Sequence, residues 1–132
     1  MLALSFQPAF ACHHLFENCL KLEALIIVIL QLLLILLWGH ITDFTKIMNV
    51  TYGTVRLSSA RTRWGSCSAR GNLNFHWKLI LMPPEVLDYV VVHELAHRRE
   101  MNHSPRFWAI VEKVLPDYKE RRRWLKENGA TV

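Results

Sequence analysis

The stretch His93-Glu94-Leu95-Ala96-His97 decides how this 132-residue chain is interpreted. Residues four apart on a helix lie on one face, so the two imidazoles can bind one metal ion together. Glu94 then projects beside the metal, where its carboxylate can take a proton from a bound water. This HExxH pattern is typical of zinc hydrolases, and it makes metal-dependent peptide hydrolysis the leading hypothesis.

The residues before the motif predict a helix over about residues 84–100. Pro83-Pro84 favours a helix start, because the first helical turn has N–H groups without intrahelical partners. Leu87, Val90 and their neighbours give this helix a broad apolar surface, as expected of a buried element. Such a helix would hold both histidines rigidly.

A catalytic zinc usually takes three protein ligands and leaves the fourth position to water, so a third ligand is needed. His103 is the preferred candidate, because Asn102 can end the helix and turn the chain back. Ser104-Pro105 then predicts the N-cap and first residue of a second helix, which places His103 at a sharp corner. Glu100 and Glu112 remain competing ligands.

Several motifs occur in order between residues 40 and 129. They are Arg61-Thr62-Arg63-Trp64-Gly65-Ser66-Cys67-Ser68, Gly71-Asn72-Leu73-Asn74, Pro83-Pro84-Glu85-Val86, Val92-His93-Glu94-Leu95-Ala96-His97, Asn102-His103-Ser104 and Phe107-Trp108. This set resembles the YgjP-like metallopeptidase family of small zincins, which is similar in its helix motif to SprT-like and WLM proteases. The resemblance implies one Zn²⁺ ion held by His93, His97 and His103, with Glu94 as catalytic base. It also implies a peptide or protein substrate.

The expected fold class is α+β, a minimal zincin fold with a small antiparallel sheet packed on the HExxH helix and C-terminal helices. Alternating residues predict strands at 54–58, 62–66 and 73–81, with a turn at 69–72 before the last strand. The strand around residues 72–77 is the candidate free edge that could hold an extended peptide.

Two further helices are predicted at either end of this domain. Residues 40–49 read as a short amphipathic helix with Ile41, Phe44, Ile47 and Met48 on one side. At the far end, residues 117–120 read as a capping box that opens a last helix, which Gly129 ends.

The chain is long enough for one catalytic core, so we expect an apolar N-terminal appendage at residues 1–38 and the metallopeptidase domain at 39–132. Residues 24–38 are all apolar except Gln31, and residues 24–42 would span about 28 Å as a helix, close to the hydrocarbon core of a bilayer. Three explanations stay open for this run: a membrane segment, a helix docked on the domain, and an aberrant reading frame.

Charge and cysteine content bear on location. Residues 1–60 carry three Lys/Arg and three Asp/Glu, and residues 61–132 carry thirteen and eight, so the excess of five positive charges lies in the catalytic part. Basic residues after the apolar run outnumber Lys21 before it, which favours a cytoplasmic catalytic domain, anchored to the inner face of the membrane if the run spans it. Cys12 and Cys19 are predicted to be buried thiols and Cys67 a packing residue, consistent with a reducing compartment.

Other functions are also compatible with this sequence. One alternative is a noncatalytic, zinc-stapled binding module whose arginines contact nucleic acid or an acidic partner; another is a zinc amidohydrolase acting on a nonpeptide substrate. Nucleic acid is not the favoured partner, because the sequence favours a solvated surface for the basic residues. These are Arg98, Arg99, Arg106 and the run 121–123. His76 and Tyr118 could donate a hydrogen bond to a transition state, but a structural role is the favoured prediction for each.

Overall fold

A computed structural model describes the backbone of residues 9–132 and the side chains of residues 17–132. The side chains of Cys12, His13 and His14 lie outside the described residues. The elements are α1 (Ala9–Met48), β1 (Val55–Ser58), β2 (Gly65–Cys67), β3 (Leu73–His76), a 3-10 helix (Trp77–Leu81), α2 (Pro84–Ala96), α3 (Pro105–Val114), α4 (Tyr118–Asn128) and a final 3-10 turn (Gly129–Thr131). The chain forms two compact units, which divide between Leu36 and Leu37.

The first unit is a stretch of α1 with an apolar surface. Large side chains such as Leu25, Ile29 and Ile35 are exposed to the surroundings, Ile35 by 66%. Cys19 is also exposed, so its prediction as a buried thiol is wrong. One helix, Glu17–Met48, is long and apolar enough to cross a membrane by its length and composition.

The second unit begins with the last turns of α1, where the predicted short helix is continuous with the apolar run. Ile41 and Met48 are buried and Phe44 packs against the core, but Ile47 is exposed, so it does not belong to the predicted apolar side. The helix ends where Asn49 adopts the left-handed conformation with φ of 52°. Asparagine tolerates this conformation better than most residues, which makes it a frequent helix terminator.

The three predicted strands form one sheet in the order β1-β3-β2. β2 pairs antiparallel with β3, whereas β1 pairs parallel with β3, so the expectation of a fully antiparallel sheet is wrong. The chain leaves β1, passes to the far side to form β2, and returns as β3 between the two. Alternation of side chains fixes which face of a strand is buried, but strand direction depends on this connection.

A tight turn joins β2 to β3. Gly71 adopts φ of +84°, and its N–H donates to the carbonyl of Ser68 at 2.8 Å. A Cβ at Gly71 would lie 2.6 Å from the guanidinium carbon of Arg98, so the position also lacks room for a side chain. The strand predicted over residues 73–81 is observed only over Leu73–His76. The second half of the predicted strand forms the 3-10 helix instead.

α2 is the central element of the core. Val91 and Leu95 of α2 are fully buried among Phe75 of β3, Phe107 of α3 and Ile41 of α1. Burying side chains of this size contributes roughly 1.5–3 kcal/mol each relative to exposure. The position of α2 is therefore fixed by packing on the sheet and on helices α3 and α4.

The boundaries of the last three helices differ in detail from prediction. Ser104 caps α3 by accepting from the Phe107 N–H at 3.4 Å, as predicted. Asp117 precedes α4 but makes no capping bond; its carboxylate accepts from Arg121 at 2.9 Å, so the predicted capping box is wrong. Gly129 ends α4 as predicted, with a right-handed conformation that continues into the 3-10 turn.

Candidate metal site and active site

α2 presents the two motif histidines to one point. The helix ends at Ala96, four residues earlier than predicted, and His97 is its C-cap with α-helical φ and ψ of −64° and −15°. The four-residue spacing between His93 and His97 therefore still follows helical geometry, and their ring centroids lie 5.2 Å apart. After His97 the backbone winds more tightly than an α-helix. The backbone N–H groups of Arg98 and Arg99 donate to carbonyls three residues back, those of Leu95 and Ala96.

The corner between α2 and α3 brings in the third histidine. Nε2 of His103 lies 3.0 Å from Nε2 of His93, and ligand atoms of His93, His97 and His103 all fall within 4.8 Å of one another. Two nitrogens bound tetrahedrally at the usual zinc distances would lie about 3.3 Å apart. The donor set fits a transition metal such as zinc, which favours imidazole nitrogen.

Hydrogen bonds orient two of these rings. Nδ1 of His93 lies 3.4 Å from the hydroxyl of Tyr89, and Nδ1 of His97 lies 3.1 Å from the carbonyl of Glu100. Nε2 of each ring is then left for the shared point, since a partner on one ring nitrogen selects the tautomer that frees the other. Glu100 thus contributes its backbone, and neither its carboxylate nor that of Glu112 belongs to the cluster of ligand atoms.

Aromatic rings close the site from the α3 side. The Phe107 ring centroid lies between 4.6 and 4.9 Å from those of all three histidines, and Trp108 stacks on His103 with centroids 5.9 Å apart. Tyr118 stacks behind Trp108 at 5.4 Å with an interplanar angle of 17°. Tyr118 therefore supports the wall of the site, and it lines neither recess around Glu94.

Burial favours the neutral forms of His93 and His97. The pKa of His93 is lowered to about 3 by burial, reinforced by the positive forms of His97, His103 and Arg122. Burial also lowers the pKa of His97. A neutral imidazole offers the lone pair that a metal needs, so the site is prepared for metal binding at neutral pH.

Glu94 is a buried carboxylate beside this cluster. Its side chain is 6% exposed, and burial raises its pKa to about 7, although the positive charge of Arg63 acts in the opposite direction. A carboxylate whose pKa lies near neutrality can both accept and return a proton under physiological conditions. Burial also raises the pKa of Tyr89 to about 12, so its hydroxyl keeps its proton.

The cleft runs between α2 and β2. One recess of about 280 Å³ contains the three histidines and Glu94 on one side, with Gly65, Ser66 and Cys67 of β2 on the other. A second recess of about 240 Å³ lies toward Tyr89 and is lined by Arg63, Trp64 and Val90. Gly65 packs against the side chain of Glu94. The HExxH motif itself does not predict this contact.

β2, and not the strand around residues 72–77, is the free edge next to the cleft. β3 is paired on both sides, so the predicted edge is wrong. The His76 N–H donates to the Trp64 carbonyl and the Ser68 N–H to the Asn72 carbonyl, which directs alternate residues of β2 toward β3. By the antiparallel pattern, the backbone groups of Gly65 and Cys67 point away from β3.

His76, Cys67 and His40 make structural contacts. His76 accepts from the Lys78 N–H and packs beside Trp64, and it does not line either recess around Glu94. Cys67 is half-buried against the core as predicted, and its pKa is raised by burial, which keeps it a thiol. His40 pairs with Asp88.

The arginines separate into two groups. Arg98 donates to the carbonyls of Thr51 and Ala69, and Arg99 donates to those of Met48 and Asn49, so both tie loops to the end of α2. Arg121 bonds Asp117 and the Glu85 carbonyl. These three are structural, whereas Arg122 lies over the Trp108 ring at 4.8 Å, beside the site.

The fold and site define the class of protein. The structure is similar to the crystal structure of the metallopeptidase zymogen abylysin from Pyrococcus abyssi, with a TM-score of 0.62 and 24% identity over 69% of this chain and 93% of that one. It is also similar to the metallopeptidase zymogen jannalysin from Methanocaldococcus jannaschii, with a TM-score of 0.60 and 16% identity over 73% of this chain and 97% of that one. The chain has the fold of these small metallopeptidases.

The family follows from the sequence match. Residues 21–128 match the family described as YgjP-like, metallopeptidase domain, and the chain therefore belongs to that family. No curated protein matches this chain. Family and fold together make it a metallopeptidase, in agreement with the resemblance seen in its motifs.

Proposed function

We propose that this protein is a zinc-dependent peptidase in which His93, His97 and His103 hold one zinc ion and Glu94 is the general base. The observation that carries the proposal is the convergence of three imidazoles on one point, with a buried carboxylate adjacent to them. A structural zinc site is normally closed by four ligands, so three histidines beside an open cleft favour a catalytic site.

Zinc bound at this point would lower the pKa of a water to about 7 and polarise the scissile carbonyl. Glu94 accepts a proton from the attacking water as its oxygen bonds to the carbonyl carbon. Glu94 then delivers the proton to the amide nitrogen as the carbon–nitrogen bond breaks, which leaves a carboxylic acid and an amine. The pKa of Glu94, raised by burial, suits both transfers.

The substrate would lie extended along β2. The free backbone groups of Gly65 and Cys67 offer a short antiparallel pairing surface, directly opposite His93 and Glu94 across the cleft. Backbone pairing supplies affinity without reading side chains, so it suits an enzyme that accepts many sequences. The strand proposed to bind the peptide is therefore β2, and not the strand around residues 72–77.

The test is proteolysis of an unfolded protein such as reduced casein by the zinc-loaded full-length chain in detergent. Glu94→Gln removes the basic lone pair but keeps the size of the side chain, and activity is expected to fall on the order of 10²–10⁴-fold with zinc retained. Glu120→Gln, at an exposed position on α4, is the matched control. Cleavage by Glu94→Gln at the parent rate would remove Glu94 from the mechanism.

The same assay separates the proposed enzyme from its rivals. A protein that binds zinc but cuts no peptide or protein would favour the noncatalytic binding module. Hydrolysis of simple amides without peptide cleavage would favour the amidohydrolase. Glu94 remains the residue whose removal distinguishes catalysis from zinc binding alone.

The apolar segment is proposed as a membrane anchor for the domain of residues 39–132. Support comes from the exposed apolar side chains of residues 24–36 and from the length of the helix. Lys46, Arg56, Arg61 and Arg63 follow the segment, which favours a catalytic domain on the cytoplasmic side.

A further inference from the structure

We propose that the cleft selects acidic peptide segments, which a cationic groove binds on the C-terminal side of the scissile bond. The proposal rests on the proposed peptidase function and names the substrate class of that site. Two pockets beyond the recess at Tyr89 form this cationic groove, and both share Trp64 and Leu125 with that recess. A peptide in the cleft would therefore continue into them.

The first pocket, of about 560 Å³, lies between the 3-10 helix and the end of α4. Arg61, Arg63, Lys78 and Lys126 line it, and no carboxylate side chain among residues 17–132 does. The exposed indole of Trp77 forms part of the wall, with the Lys78 ammonium 5.9 Å from its centroid. Lys78 also donates to a main-chain oxygen of Val132, another lining residue, at 2.6 Å.

The second pocket, of about 620 Å³, is formed by one face of α4. Lys119, Arg122, Arg123 and Lys126 follow the spacing of one helical face and line it together, again without any described carboxylate side chain. Glu120 lies on α4 but outside both pockets. From sequence the charges of α4 look interspersed, but the fold sorts them so that positive charge faces the groove.

All of these cations except Lys78, which already donates to Val132, are exposed to solvent. The ion pairs at Asp88 and Asp117 involve His40 and Arg121, which do not line the groove. Arg61, Arg63, Arg123 and Lys126 are exposed. Cations left without carboxylate partners around a cleft attract an anionic ligand and raise its rate of association.

The proposed antiparallel pairing with β2 sets the direction of the peptide. A chain paired antiparallel to β2 runs from Cys67 toward Gly65, so its later residues pass Trp64 and Arg63 and enter the groove. At about 3.3 Å per residue, the second to fourth residues after the scissile bond reach about 7–13 Å beyond it. Glutamate or aspartate at these positions would face the groove cations.

The test compares three dodecapeptides. In the first, four Glu follow an apolar half. In the second, four Gln replace these Glu, and in the third, four Glu precede the apolar half. The zinc-loaded full-length protein in detergent is expected to cut the first with the highest kcat/KM, on the N-terminal side of the Glu block by mass spectrometry. Added NaCl should reduce this preference, because exposed charges are screened.

Charge reversal locates the effect. Arg123→Glu with Lys126→Glu should lower the ratio of kcat/KM for the Glu and Gln peptides by about tenfold, because each exposed pair contributes a modest amount and reversal adds repulsion. Arg56→Glu with Lys113→Glu changes the net charge equally at exposed positions outside the groove and should keep the ratio. An unchanged ratio in the α4 variant would overturn the proposal, as would a preference for Glu before the scissile bond.

Binding separates this proposal from the proposed catalytic function. Fluorescence anisotropy with a labelled Glu peptide and zinc-loaded Glu94→Gln protein measures the groove without cleavage. Tighter binding of the Glu than of the Gln peptide supports the groove even if no peptide is cut, in which case only the catalytic function fails. Equal binding of the two peptides, or stronger binding of a 12-nucleotide oligothymidylate than of the Glu peptide, would overturn the acidic-peptide assignment.

Discussion

Gly65 of β2 lies against the carboxylate of Glu94, so closely that a Cβ at position 65 would sit 2.8 Å from Oε1 and 2.9 Å from Cγ of Glu94. Gly65 therefore supplies space, and its role does not depend on an unusual backbone angle. The pairing connects the edge strand to the proposed general base. It explains why a glycine belongs at the start of β2, although glycine is otherwise unfavourable in strands.

Gly65→Ala is expected to displace Glu94 and lower peptidase activity by about 100-fold, because misplacement of a catalytic group by about 1 Å costs that much. Zinc content should stay at one ion per chain, since no proposed ligand moves. Gly39→Ala is the matched control, because a Cβ at Gly39 meets nothing within 4 Å. Parent-level activity in Gly65→Ala would show that the close contact is unimportant for catalysis.

His103→Ala is expected to weaken zinc binding by more than about 100-fold, the upper end of the cost of losing an outer-shell partner. Metal analysis after competition with a chelator measures the change. Asn102→Ala, exposed at the neighbouring position, should retain zinc. Stoichiometric zinc in His103→Ala at parent affinity would favour Glu100 or Glu112 as third ligand.

Glu94 should destabilise the metal-free protein at alkaline pH. Its pKa in the folded chain is about 7, above the ordinary value of 4.5, so the folded state holds the proton more strongly and the contribution of Glu94 to stability falls as pH rises from 4.5 to 7. Metal-free Glu94→Gln should exceed the parent in unfolding free energy by about 3 kcal/mol at pH 8 and match it near pH 4.

Urea unfolding of the chelator-treated full-length chain at the two pH values measures this difference. The pKa of His93, lowered by burial, makes stability rise with pH in both proteins, so it cancels in the comparison. A difference that is the same at pH 4 and pH 8 would show that titration of Glu94 is not its cause.

The full-length chain should stay with membranes through an alkaline carbonate wash. Leu30→Arg with Leu34→Arg should release it, because an arginine near the centre of a spanning helix costs about 2.5–3.5 kcal/mol. Leu30→Ile with Leu34→Ile keeps the segment apolar and should remain bound. Release of the parent chain would favour a docked helix or an aberrant reading frame as the explanation of residues 24–42.

The sequence alone determined the parts of the site that depend on local structure. The four-residue spacing of His93 and His97 works because α2 is a helix, and Ser104-Pro105 predicts the corner at His103 because capping is a short-range interaction. Local signals were less successful at boundaries. α2 ends at Ala96, earlier than predicted. The side chains of Arg98 and Arg99, just after this end, donate to carbonyls of residues that are distant in sequence.

Only the tertiary structure decided which strand faces the metal and which charges face the cleft. β3 lies between β1 and β2 because of how the chain returns from β2, and alternation of side chains carries no information about that path. The contact of Gly65 with Glu94, and the gathering of Arg61, Arg63 and the α4 cations around one groove, join residues far apart in sequence. Periodicity and capping act over a few residues, whereas these contacts exist only once the sheet has packed against α2.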